Sequence, residues 1–255
     1  MILKLIKPLL FVIFSFSAFE FSDAQTLSIA AAADLRYAMD DVIKAYKQLH
    51  TSTEIKVNYG SSGTAFQQIL NGAPYDIFFS ADIVYPKKLK EQGLTLTDPR
   101  LYAIGYIVVW SSQIDISQGI NSLLNVKVSK IAIANPEHAP YGKRAEESMK
   151  YYKIYDKVKD KLIFGDNISQ AAQFVLTGNA DIGILALSLA CSPALKDKGK
   201  YSIIDDKSHS PLEQAYVILK QSKPNQEAYL FAEFVASPSA REIFKNYGFK
   251  LPTEK

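Results

Sequence analysis

The sequence predicts an α/β protein whose parallel sheets are covered by helices on both faces. Three observations carry this. Short apolar runs alternate with segments of helical periodicity along the chain; Gly, Asn and Ser punctuate the junctions; and 48% hydrophobic with 22% charged residues is the balance of an ordinary globular chain.

Residues 26–32 form a short apolar strand, and 34–49 then set Leu35, Ala38, Met39, Val42, Ile43 and Tyr46 at helical spacing. Residues 54–59 alternate at period two, 63–70 read as a helix ended by Asn71-Gly72, and 76–80 as a third strand. A helix over 86–92 closes at Gly93, and 101–110 is one long β-rich run. Strands at 130–134, 180–185 and 214–219 and helices at 141–152, 168–176, 225–236 and 239–247 complete the pattern. No internal repeat or low-complexity tract interrupts it.

At 255 residues the chain is long enough for one or two domains with real cores. The 12 Gly and 11 Pro exclude a collagen-like or low-complexity chain. A net charge of +3, from 29 basic and 26 acidic residues mixed along the chain, gives no reason to expect nucleic acid or an anionic membrane as partner. Residues 1–24 read as a secretory signal peptide. Lys4 and Lys7 precede an apolar run from Pro8 to Phe19, and Ser22-Asp-Ala24 places small residues before a cleavage at Gln25. The run is shorter than the about 20 residues a membrane span needs. Export is therefore expected.

Cys191 is the single cysteine, which excludes an internal disulfide, and it reads as a small buried hydrophobe rather than a nucleophile. His50, His138 and His209 stand apart from one another and from Cys191, so no metal-ligand spacing exists and no cofactor is expected. Tyr102, Tyr106 and Trp110 read as core or hinge packing. Asp76 and Asp82 read as turn caps or interlobe contacts rather than an acid–base pair, and Lys87, Lys88 and Lys90 as a solvated helix face.

Chemistry concentrates at four strand-to-helix junctions: Ala31-Ala-Ala-Asp-Leu35, Gly60-Ser-Ser-Gly63, Asn135-Pro-Glu-His-Ala-Pro-Tyr-Gly142 and Gly165-Asp-Asn-Ile-Ser169. A helix start leaves about four N–H groups unpaired and carries about half a positive charge, so it suits an anion. Ligands of open α/β sheets bind at the carboxyl ends of strands, where all four junctions fall. One junction alone is ordinary capping; four suggest a shared ligand if the fold brings them together.

These junctions, with Gln68-Ile-Leu-Asn-Gly-Ala-Pro-Tyr-Asp-Ile-Phe-Phe-Ser-Ala-Asp82 and Arg241-Glu-Ile-Phe-Lys-Asn-Tyr-Gly-Phe249, resemble the periplasmic molybdate-binding proteins of molybdate ABC transporters over nearly the whole exported length. The resemblance implies a two-lobed, type II periplasmic-binding-protein fold, each lobe a mixed, mostly parallel sheet flanked by helices. It implies lobe one from residues 25–107 plus 212–255 and lobe two from 108–211. The crossings fall near Tyr106–Val108 and Glu213–Ala215. It further implies a monomer that holds molybdate or tungstate between the lobes and serves a permease and its ATPase. Neutral donors would hold the anion: the Ser62 hydroxyl and amide, the Ala33 or Asp34 amide, the Tyr141 amide and the Ile168 amide, with Ser61 capping beside them. A cage of donors without acceptors suits molybdate, tungstate and sulfate and rejects an anion that keeps a proton.

Two positions depart from the family pattern. Asp34 stands where a common version has an anion-binding serine. An ionised carboxylate cannot donate and repels a dianion, so Asp34 is expected to turn away, cap its own helix and offer its N–H. Ala186 stands where some members have a tyrosine, and the Tyr141 hydroxyl is expected to fill that space. Two other functions remain open at this level: a protein of the same fold for sulfate or another tetrahedral oxyanion, and a secreted hydrolase with Ser62 as nucleophile. The hydrolase lacks a histidine near the serine turn in sequence, and Gly-Ser-Ser-Gly is no nucleophile elbow.

Overall fold

The computed structural model describes residues 26–220 and 225–252; the expected signal peptide and its cleavage point lie outside the described residues. The chain begins with β1 (Thr26–Ala32), α1 (Arg36–Leu49), β2 (Glu54–Gly60), α2 (Ser62–Leu70), β3 (Ile77–Ser80), α3 (Val84–Glu91) and β4 (Arg100–Gly105). It continues through β5 (Ile107–Ser111), β6 (Ile131–Ala134), α4 (Pro140–Tyr151), α5 (Tyr155–Val158), β7 (Leu162–Gly165), α6 (Ile168–Leu176), β8 (Ile182–Ala186), α7 (Leu187–Ala190) and β9 (Lys200–Ile203). Strand β10 (Leu212–Ile218) and helices α8 (Gln226–Val235) and α9 (Pro238–Asn246) complete it.

Two five-stranded sheets result, ordered β2-β1-β3-β10-β4 and β7-β6-β8-β5-β9. Each is mixed. Strand β1 runs parallel to β2 and β3, and β6 parallel to β7 and β8, whereas β10 and β5 pair antiparallel with both of their neighbours. Alternation of strands and helices foretold the parallel half; the antiparallel half comes from the strands next to the passages between sheets. The fold is the two-lobed type II arrangement.

The expected single strand over 101–110 is two strands, interrupted at Tyr106: Ile104 pairs with Glu213 in the first sheet, and Val108 with Leu185 in the second. Apolar β-rich character is continuous across the break, so composition hides it. Strands β7 and β9 were not foreseen, because Leu162–Gly165 and Lys200–Ile203 are only four residues each and lie among charged residues.

Local chemistry explains the helices that matter most for position. Ser61 caps α2 by accepting from Thr64 N, and Asn167 caps α6 by accepting from Ser169 N and Gln170 N. Pro140 opens α4 at a place where an N–H would have no helical partner. Along β1 the pleat sends Leu27, Ile29 and Ala31 to one face with Leu35, Met39, Val42, Phe231 and Phe244, and Ala30 to the other with Phe66, Phe78 and Leu89. The second sheet packs around Trp110, Ile131, Ile133, Ile182 and Ile184.

Tyr102 and Trp110 are buried, and Tyr106 is half-buried at the break, so the three aromatics serve packing as expected. Lys87, Lys88 and Lys90 are exposed. Cys191 departs from its expectation: it is only half-buried, beside Tyr201 at the end of α7, and burial raises its thiol pKa. Among the described residues no helix is long and apolar enough to cross a membrane, and no cluster of three or more His, Cys, Asp or Glu offers a metal site.

Phe231 is fully buried, with its ring edge-on to Tyr46 at 5.1 Å and to Phe79 at 6.2 Å. Replacing it by alanine is expected to lower stability by about 3–5 kcal/mol, read as a shift of the urea unfolding midpoint.

Candidate functional site

The four junctions meet. Ala33, Asp34, Ser61, Ser62, Tyr141 and Ile168 all line one small cavity between the sheets, with Ala32, Gly60, Ala81, Ala139 and Pro140 closing it. All six residues are buried. The elements that deliver them explain the convergence: β1, β2, β6 and β7 each end at the cavity, and each passes directly or by a short turn into a helix start.

The main-chain donors can be counted by subtraction. At the start of α2, Gly63 N donates to His138 O at 2.9 Å, Thr64 N to Ser61 Oγ and Ala65 N to Ser61 O. That leaves Ser62 N. At the start of α6, Asn167 Oδ1 accepts from Ser169 N and Gln170 N, and Asn167 O from Ala171 N, which leaves Ile168 N. At the start of α4, Pro140 has no N–H and Lys143 N bonds Ala139 O, leaving Tyr141 N and Gly142 N. The single 3-10 turn Ala33–Leu35 sends Arg36 N to Ala33 O and leaves the N–H groups of Ala33 and Asp34.

Ser62 adds a side-chain donor. Its Oγ accepts from Ala81 N at 2.9 Å, which fixes the oxygen and leaves the hydroxyl proton to point elsewhere. Ser61 behaves as the cap expected of it, and its Oγ also bonds Thr64 Oγ1 at 2.7 Å and His138 Nδ1 at 2.9 Å. The histidine that the sequence places far from the serine turn is therefore beside it. It meets Ser61, not Ser62, and Ser61 Oγ is already engaged as the α2 cap. Gly63 permits this approach, since a Cβ there would lie 2.5 Å from His138 O.

Asp34 overturns its expectation. It does not cap its helix; no side-chain cap bond exists at the 3-10 turn or at α1. The carboxyl points inward, and its Oδ2 accepts from the Tyr141 hydroxyl at 2.9 Å and from Gln214 Nε2 at 2.6 Å. The Tyr141 hydroxyl proton is thus spent on Asp34 and does not stand in for the tyrosine missing at Ala186. The network continues to Tyr102, whose hydroxyl donates to Gln214 Oε1 at 2.6 Å. Burial raises the Asp34 pKa to about 6 against the lowering pull of Gln214 and Tyr141, and burial beside Asp34 pushes both tyrosines well above their usual range.

Further contacts tie the two sheets around the cavity. Ser169 Oγ donates to Ala33 O at 2.9 Å and Ser188 Oγ to Asp34 O at 2.8 Å. Arg144 Nη2 meets Asp82 Oδ2 at 2.8 Å with both side chains mostly buried. Asp82 also accepts from Val84 N and so serves as a turn cap and an interlobe contact, whereas Asp76 does neither, its Oδ2 accepting from Ser28 N within β1 of the same lobe. Gln214, Ser188 and Arg144 escaped notice in the sequence. Gln214 had a signal: a long amide inside an apolar strand. Gly105 had another, as a Cβ there would lie 2.3 Å from Tyr141 Oη.

Two lobes closing on an interior cavity lined by helix starts define a solute-binding protein. The pattern of the family described as bacterial extracellular solute-binding protein matches residues 27–250, and the chain belongs to that family. It is 32% identical over 232 residues to the molybdate-binding protein ModA of Azotobacter vinelandii, covering 90% of this chain and 92% of that protein. It is 34% identical over 200 residues to ModA of Rhodobacter capsulatus, covering 78% of each. The solved Azotobacter vinelandii periplasmic molybdate-binding protein superposes with a TM-score of 0.83 at 31% identity, over 89% of this chain and 100% of that one. The sulfate-binding protein SubI of Mycobacterium tuberculosis, at a TM-score of 0.72 and 14% identity over 89% of this chain and 86% of that one, shares the fold. The resemblance to molybdate-binding proteins seen in the sequence is borne out.

The Asp34 environment has a stability consequence. A folded carboxyl that holds its proton up to about pH 6, against 3.8 when unfolded, binds more protons folded than unfolded between those values. Its contribution is present in full below the lower value and lost as pH rises to the upper. Between about pH 4 and pH 8 the wild type is expected to lose up to about 3 kcal/mol more than Asp34→Asn, measured by urea unfolding of both.

Proposed function

We propose that this protein binds molybdate in the cavity between its lobes and delivers it to an ABC transporter. The observation that carries the reading is the convergence of uncommitted N–H groups and the Ser62 hydroxyl on one cavity whose lining residues include no lysine, arginine or histidine. The names of its relatives support molybdate as the ligand. Ser62 would give its hydroxyl and amide, Ala33 or Asp34, Tyr141 and Ile168 their amides, and Ser61 would hold α2 in place behind them. Dipoles fixed in a dry cavity stabilise a dianion without a counter-charge and need no rearrangement to do so.

Tungstate, of the same charge and shape, is proposed as a second ligand. Lobe one would comprise residues 25–107 plus 212–255 and lobe two 108–211, which the membership of the two sheets supports except at Ile107, the first residue of β5 in the second sheet. The chain passes between them at Tyr106 and again between Ile203 and Leu212, and flexing there would open the cavity. A monomer working in the periplasm after loss of residues 1–24, with a permease and its ATPase as partners, completes the reading.

Isothermal titration calorimetry with molybdate, tungstate, sulfate and phosphate tests it. The expected outcome is 1:1 binding of the first two, with sulfate weaker by about a hundredfold, or about 2.7 kcal/mol. Preference for sulfate would reassign the ligand. Ser62→Ala removes one donor to a charged acceptor, and its Kd for molybdate is expected to rise by roughly 10- to 150-fold.

A further inference from the structure

Asp34 is among the residues that line the cavity, and its two carboxyl oxygens are treated unequally. Oδ2 accepts from the Tyr141 hydroxyl and Gln214 Nε2, and the main-chain N–H of Asp34 itself also acts on the carboxyl. Gln214 Oε1 accepts in turn from the Tyr102 hydroxyl. Oδ1 is buried and has no partner, in a side chain only 1% exposed. One oxygen accepting two hydrogen bonds and the other accepting none is the pattern of a neutral acid, with Oδ2 as carbonyl and Oδ1 as hydroxyl. An ionised carboxylate would leave charge on Oδ1 without a side-chain donor in a buried site, which shifts the proton equilibrium toward the acid.

The groups hydrogen-bonded to Asp34 are neutral, Tyr141 from α4, Gln214 from β10 and Ser188 of α7, whose hydroxyl donates to the Asp34 carbonyl, and Tyr102 from β4 joins through Gln214. Both tyrosines keep their protons, since burial and Asp34 itself oppose their ionisation. None of the residues bonded to Asp34 among the described residues is a cation, so nothing offsets a second negative charge in the cavity except the anion's own donors.

We propose, resting on the oxyanion reading of the cavity, that Asp34 binds the anion as the neutral acid, with Oδ1–H donating to an anion oxygen, so that loading takes up one proton from solvent. No bond to the anion is made or broken beyond this hydrogen bond. A dianion beside the carboxyl raises its proton affinity above that of the empty site, because like charges disfavour ionisation. Between the two proton affinities each anion bound brings one proton with it, and affinity falls about tenfold for each unit of pH. Asp34 thereby makes capture strongest in acidic surroundings and release easier where the pH is higher.

Titrating the protein with molybdate at about pH 7.5, in two buffers of different ionisation enthalpy, counts the protons directly. The expected result is uptake of close to one proton per molybdate, with Kd weakening by three- to tenfold per unit between about pH 6.5 and 8.5. Asp34→Asn presents a permanent N–H in place of Oδ1–H and is expected to take up no proton and to bind with a Kd flat across that range. Equal heats in both buffers with a flat wild-type Kd overturn the proposal while leaving the oxyanion reading intact. Proton uptake that persists in Asp34→Asn also overturns it. No molybdate binding by the wild type at any of these pH values overturns both. The wild-type proton count stands whether or not the variant folds.

Discussion

Buried main-chain donors need acceptors, and this fold gathers them from four helix starts into one dry space. Everything else about the site follows from that demand. Ser62 N, Ile168 N, Tyr141 N and the N–H groups of Ala33 and Asp34 remain after each cap has taken its share. Left without a partner each would cost on the order of 1–3 kcal/mol. On the proposed reading, a dianion would satisfy them together and so couple closure of the lobes to occupancy of the cavity.

Closure is also held by contacts that involve no ligand. Gly63 N on His138 O, Ser169 on Ala33 O, Ser188 on Asp34 O and the Arg144–Asp82 pair join residues of the two sheets. They are few and polar, which suits lobes that must separate again to release a solute. Most of each apolar core stays on its own sheet, and Ala32, Ala33, Ala81 and Leu212 are buried apolar residues of lobe one that reach into the core of the second sheet.

The buried network of Tyr102, Gln214, Asp34 and Tyr141 occupies a special place in this scheme. It links β4 and β10, beside the passages between lobes, to the start of α4 and the cavity wall. Every member is neutral once Asp34 holds its proton, and a satisfied neutral network is stable in a dry interior where a lone charge is not. Gly105 is the backbone counterpart of that network, leaving the room into which the Tyr141 hydroxyl fits.

The family resemblance pointed to six of the residues that line the cavity; sequence by itself determined the strand–helix alternation and the caps at Ser61 and Asn167. These are local matters of periodicity, side-chain chemistry and the dipole at a helix start. Tertiary structure alone decided where a β-rich run breaks between sheets at Tyr106, that His138 meets Ser61, and that Asp34 turns inward to Tyr141 and Gln214. Those contacts join residues 77 to 180 positions apart. A carboxylate read on a helix start looks like a cap, and only the packing of three other elements against it removes the water and reverses the choice.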